Sequence, residues 1–194
     1  MSDSFDVAAP EISTARLRLR ALAPDDATAI FRYASDPEVA RFTLWPPHKS
    51  ENFTREFLRL FTQPGFLSWA IIVRPEEAVA GMVFFHSFNK HHRKAELAFN
   101  LARTHWKKGF ATEAAGAALA FAFPHLNLNR VEATCMPANL GARRVLEKSG
   151  MSYEGRMRRS HLRYDGAHDM DLFSILHDER KSQQNVRAND RDSS

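Results

Sequence analysis

The stretch THWKKGFATEAAGAALAFAF, Thr104 to Phe123, joins a basic, polar turn to the most apolar helical pattern in the chain. A helix N-terminus carries unpaired N–H groups and a partial positive charge. A glycine there lets an anion come close to the backbone. Lys107, Lys108, Gly109, Phe110, Ala111 and Thr112 therefore offer successive N–H donors with lysine charge beside them. Behind them, Phe110, Ala114, Ala117, Ala118 and Phe121 share one face, and Ala111, Ala115, Leu119 and Ala122 fill much of the rest. A helix apolar nearly all round, and mostly of small residues, packs closely under a sheet. Its polar end is then held rigidly, as a preorganised anion cradle requires. Taken alone, the same residues also fit an ordinary helix start with solvated lysines, because one glycine is a weak phosphate signal.

A second helix begins at Asn139 and runs to about Lys148, with Gly150 placed as its C-cap. Arg144 on it is able to reach a phosphate bidentately. Cys135, in VEATCM, fits a buried strand better than a nucleophile's setting. His86, His91, His92 and His105 have no metal-ligand spacing and read as turn and surface residues.

These groups need a scaffold, and the chain supplies one in order. RLRLRAL alternates as a half-buried strand over Arg16–Leu22. A helix starts at Pro24-Asp25-Asp26 and reaches about Ser35, and another covers Glu51–Phe61. Strands follow at Leu67–Val73, Val79–Phe88 and Ala95–Leu101, then the Phe110 helix, a strand at Arg130–Met136, the Asn139 helix, and strands near Met151–Met157 and Asp169–Leu176. Hairpins early and a strand–helix–strand unit in the middle predict one mixed α/β sheet.

The chain has 194 residues, suiting one domain with a real core. Residues 1–13 read as a loose leader, 14–177 as the domain, and 178–194 as a polar, disordered tail. A net charge of +4 favours anionic ligands but falls short of a nucleic-acid-binding surface. A single cysteine excludes an internal disulfide and fits the cytoplasm. The N-terminal residues lack the pattern of a signal peptide, and the longest apolar run is well short of the about 20 residues that span a bilayer.

The basic turn and the helix behind it resemble the GNAT superfamily of acetyl-CoA-dependent N-acetyltransferases, most of all its ribosomal-protein alanine subgroup. Trp106-Lys107-Lys108-Gly109-Phe110-Ala111 matches the family's Gln/Arg-x-x-Gly-x-Gly/Ala loop, with Trp106 in the first position as in that subgroup, and Thr112-Glu113-Ala114 continues the match. Asn139, Arg144, Val145, Leu146, Glu147, Lys148 and Gly150 match a second block. SDPEVARF followed by Trp45, and the late run ending in FSIL, extend the likeness over roughly residues 14–177.

The resemblance implies a GNAT fold: one mostly antiparallel sheet, flanked by helices, with a central parallel strand pair (about 95–101 and 130–136) that splays to admit the pantetheine arm. It implies acetyl-CoA as co-substrate and no metal, in a monomer or homodimer. Leu101, Ala102 and Arg103 would offer backbone to the pantetheine amides, and Asn139 and Arg144 would contact CoA. Glu96 is the candidate base, against the alternative of an ion pair with Lys94. The usual proton donors are missing, since the tyrosine position holds Leu146 and the serine position Ala142. Ser149 and Tyr153 are the hydroxyls nearby in sequence, and Tyr153 is the candidate donor, with water as the alternative. Trp45 and Tyr164 are the expected acceptor contacts, on segments Pro37–Pro47 and Arg158–Asp169. The acceptor is a protein N-terminus or a small amine; a weakly catalytic CoA-binding regulator is the reading from another class.

Overall fold

The computed structural model describes residues 3–5 and 7–180. Its sheet has eight strands: β1 (Ile12–Ser13), β2 (Leu17–Ala21), β3 (Leu67–Val73), β4 (Ala78–Asn89), β5 (Lys94–Leu101), β6 (Arg130–Cys135), β7 (Ser152–Arg163) and β8 (Gly166–Leu176). The helices are α1 (Ala27–Ala34), α2 (Pro37–Ala40), α3 (Glu51–Phe61), α4 (Phe110–His125) and α5 (Leu140–Lys148). The strand order is β1-β2-β3-β4-β5-β6-β8-β7, antiparallel throughout except for the parallel neighbours β5 and β6. This is the fold class the sequence predicts.

β3 explains the layering. Every residue of LSWAIIV is buried, as a strand covered on both faces must be. One face packs under α4 and α5, with Leu19, Trp69, Phe85, Leu97, Val131 and Phe173 meeting the alanines of α4. The other face packs under α1 and α3, with Ile30, Tyr33, Leu58, Ala70 and Met82. The alanines at 114, 115, 118 and 122 bring α4 close to the sheet, so its N-terminus is held by a rigid rod.

The described part of the leader is not loose. Phe5 stacks on Phe88 at 4.8 Å, Pro10 accepts the Trp69 indole N–H at 2.7 Å, and β1 pairs with β2. The buried Trp69 needs a partner for its N–H, and the leader supplies it. At the other end, residues 177–180 are helical, and the buried Arg180 donates to the Gly116 carbonyl at 3.0 Å. The rest of the expected tail lies outside the described residues.

Candidate active site

β5 and β6 pair over only three rungs, Lys94–Arg130, Ala95–Val131 and Glu96–Glu132. Beyond Glu96 they part. β5 continues to Leu101 paired with β4, and β6 to Cys135 paired with β8, so each strand keeps its outer neighbour while the inner edges separate. Ala102 turns its N–H to the Ala80 carbonyl at 2.7 Å. By the alternation of a strand, Leu101 and Phe99 aim their polar groups into the gap instead. The gap is thus bordered, among the described residues, by two strand edges inside a sheet that do not pair with each other. Gly81, opposite Leu101 on β4, permits close packing at the mouth, because a Cβ there would collide with the Asn100 carbonyl.

The cradle stands at that mouth. Gly109 adopts φ 82°, ψ 0° and Lys107 φ 62°, a left-handed turn that delivers the chain into α4. The first bond into the helix is from the Glu113 N–H to the Gly109 carbonyl at 3.0 Å. The N–H groups of Phe110, Ala111 and Thr112 have no partner among the described residues and point out of the helix end. Arg16 braces the turn. It donates to the Lys108 carbonyl at 3.0 Å and to Glu113 at 2.7 Å, and its guanidinium lies 4.8 Å from the Phe110 ring centre. Burial raises the Glu113 carboxyl, but the bonds from Thr14 and Arg16 outweigh it and hold the group below its ordinary value. Lys107 and Lys108 are exposed and make no ion pair among the described residues.

On the sheet face turned to α1 and α3, the vertex of the gap is closed by Thr134, whose hydroxyl donates to Glu96 at 2.8 Å. Lys94 does not pair with Glu96; it bonds Glu132 at 3.2 Å, in a network with Arg130 and Glu154. His86 of β4 stands opposite Glu96 in the strand register and is half-buried, so it is not the surface residue its sequence setting suggests. Nearer the mouth, Tyr33 of α1 donates to Asn100 at 2.8 Å.

The two segments expected around an acceptor do meet. Arg163, its side chain 3% exposed, reaches from the β7–β8 hairpin to donate to the Arg41 carbonyl at 2.8 Å and to Asp165 at 3.0 Å. Beside it a cavity of about 370 Å³ is lined by Arg41, Phe42, the Met136–Ala138 turn, Arg163, Asp165, His168 and Asp169.

The family profile described as acetyltransferase (GNAT) domain matches residues 16–152. The chain belongs to the GNAT family. Among curated relatives, the uncharacterized N-acetyltransferase p20 of Bacillus licheniformis is 31% identical over 84% of this chain and 94% of its own length. The uncharacterized N-acetyltransferase YoaA of Bacillus subtilis is 29% identical over 86% and 97%. A GNAT-family acetyltransferase from Bacillus anthracis superimposes with a TM-score of 0.77 at 29% identity, covering 86% of this chain and 98% of that one. The protein is therefore an N-acetyltransferase. The family's acetyl donor is acetyl-CoA, and a neighbour of the same fold, a spermidine N-acetyltransferase from Vibrio cholerae (TM-score 0.74, 23% identity, 86% and 99% covered), was solved with CoA and spermine. A left-handed Gly109 and three free N–H groups at the mouth of a strand gap suit a pyrophosphate-bearing thioester with an extended arm.

This GNAT domain does not bring every expected residue to the gap. The carbonyl of Leu101 is bonded by the Trp106 indole at 2.8 Å and Ala102 faces β4, so among the described residues β5 turns the Phe99 backbone and the Leu101 N–H to the gap. The carbonyl of Arg103 is likewise taken, by the Trp106 N–H at 3.1 Å. Phe99 escapes a reading of the sequence because strand parity is not visible there. Asn139 caps α5, accepting from the Ala142 N–H at 3.0 Å, and Arg144 is exposed on the same helix.

Tyr153 lies on the edge strand β7, two strands outward from β6, with its ring against Phe173 and Arg143. The geometry does not place it at the gap. Leu146 is buried in the core under α5, so that position offers no hydroxyl. Trp45, partly buried, packs against His48 and Phe57 at the layer under α3, and Tyr164 sits outside the cavity, 58% exposed and bonded by Arg163. Arg41, Phe42, Asp165 and Asp169 line the cavity. Cys135 is buried, and burial together with Asp171 pushes its thiol up to about 11, so it stays protonated.

Proposed function

We propose that this GNAT enzyme moves the acetyl group of acetyl-CoA directly onto a primary amine within a ternary complex, and that the preferred acceptor is a protein N-terminal α-amine of the ribosomal-protein type. The observation that carries the reading is the parted β5–β6 pair, with a cradle at its mouth and an acceptor-side cavity across the sheet. Phe110, Ala111 and Thr112 bind pyrophosphate through their N–H groups, and Lys107, Lys108 and Arg144 add charge. Phe99 and Leu101 hold the amides of the arm. Asn139 fixes the start of α5 beside it, and Glu96 faces the incoming amine.

An α-amine titrates near pH 8 against about 10.4 for a lysine side chain. It therefore needs little help to become nucleophilic at neutral pH. Positioning and preorganised dipoles then carry most of the barrier reduction, and water protonates the thiolate where Leu146 and Ala142 cannot. Support for the acceptor comes from YdaF of Bacillus subtilis, named as a candidate ribosomal N-acetyltransferase and 31% identical over 51% of this chain. Such a reaction belongs in the cytoplasm, where nascent proteins and acetyl-CoA coexist.

A small cationic amine is the second reading, favoured by the Asp169 carboxylate that lines the cavity, since Asp165 is held by Arg163 and His168. Purified protein, acetyl-CoA and a panel of peptides and polyamines, scored by mass spectrometry, separate the two. We expect acetylation at the α-amine of a peptide. Acetylated polyamine with untouched peptides moves the assignment to the second reading, and no acetylation of any amine overturns both.

A further inference from the structure

An imidazole and a carboxylate stand side by side at the vertex of the gap. His86 of β4 stands opposite Glu96 of β5, and Glu96 accepts the Thr134 hydroxyl at 2.8 Å where β5 and β6 part. His161, on β7 of the β7–β8 hairpin, lowers the His86 pKa electrostatically. The nearby cations are spent elsewhere, Lys94 on Glu132 and Arg130 on Glu132 and Glu154. His86 Nδ1 meets the Ser87 hydroxyl at 2.8 Å, and its Nε2 has no hydrogen-bond partner among the described residues. His86, Glu96, Thr134 and His161 are each half-buried, so the cluster is reachable from solvent yet partly dry.

We propose that His86 is the terminal proton acceptor of the acetyl transfer, acting through Glu96, which stands between it and the gap. The inference rests on the acetyltransferase reading above. As the amine nitrogen bonds the acetyl carbon, the C–S bond breaks and its electron pair leaves with the CoA sulfur. The proton shed by nitrogen passes to Glu96, crosses to His86 Nε2 through water because no direct bond joins the two side chains, and returns through water to the thiolate. The products are amide and thiol, with no other reactant. An imidazole is a better-matched proton acceptor for an α-amine near 8 than a carboxylate alone. Burial lowers the His86 value, Glu96 opposes that and His161 adds to it, so the ring is neutral and ready at pH 7. The groups facing His86 are thus Glu96 from β5 and His161 from the hairpin; Phe66 and Phe84, with ring centres 6.1 and 5.7 Å away, carry no charge.

The test compares wild type, His86→Gln and His161→Gln by the pH profile of kcat at saturating acetyl-CoA and saturating acceptor, the acceptor being the one that the panel identifies, with acetyl-CoA affinity by calorimetry. We expect His86→Gln to lower kcat about 100-fold, to leave acetyl-CoA affinity unchanged and to erase the acidic limb of the profile. His161→Gln should move that limb to higher pH, because His161 lowers the His86 value. An active wild type with an indifferent His86→Gln overturns this inference alone. A lowered kcat that keeps the acidic limb reduces His86 to a structural residue and overturns it too. A wild type that binds acetyl-CoA and acetylates nothing overturns the acetyltransferase reading beneath it. Should His86→Gln fail to fold, a limb unmoved in His161→Gln is the contradicting result.

Discussion

Gly109 shows how much one residue decides. At φ 82° a side chain is strained, by about 1–2 kcal/mol. A Cβ there would already lie 3.4 Å from an Arg16 nitrogen. Gly109→Val places two further methyl groups where the anion must approach the N–H groups of Phe110 to Thr112. We expect a folded variant whose acetyl-CoA dissociation constant rises at least about tenfold, roughly 1.4 kcal/mol, measured by calorimetry. Unchanged affinity in a folded variant would remove the cradle from the account. This residue is legible in the sequence because its signal is local: Lys-Lys-Gly before an alanine-rich helix. His86 and Phe99 are not. Their roles come from cross-strand register and strand parity, and neither property is written in neighbouring residues.

At the scale of elements, α3 and β3 lie where the sequence puts them, because amphipathic period and a fully apolar run are strong signals. The β7–β8 hairpin is longer than predicted. SYEGRMRRSHLR lies at the sheet edge with little buried surface, and its charged residues mask the alternation. The connection between α2 and α3 hides another feature. His48 is 3% exposed, bonded through Nδ1 to Thr54 at 2.8 Å and enclosed by Trp45, Phe53 and Phe57. Burial lowers its pKa to about 4. The unfolded chain, near 6.5, then binds a proton that the native state refuses, so stability is fully present above pH 6.5 and falls as the pH drops toward 4. The loss amounts to at most about 3 kcal/mol. His48→Asn keeps a donor toward Thr54 and removes the titration. Urea midpoints taken from pH 7 to 4 should fall less steeply for the variant, and equal slopes would refute this origin.

For the whole molecule, the hairpin and the α2 segment form one wall because Arg163 joins them. Its buried guanidinium binds Arg41, Asp165 and Tyr164. Arg163→Ala should cost about 1–3 kcal/mol of stability, read from denaturation, and raise the acceptor KM while leaving acetyl-CoA affinity alone. Sequence blocks named both segments, but only the fold shows that they share a cavity.

The central claim is that the gap between β5 and β6 is the acetyl-CoA site. Amide NMR of the labelled full chain, titrated with acetyl-CoA, reads it directly. The account predicts the largest shifts at Phe99, Leu101, Phe110, Ala111 and Thr112, with Tyr153 on the far edge unmoved. Binding that leaves those five amides in place and shifts others would contradict it.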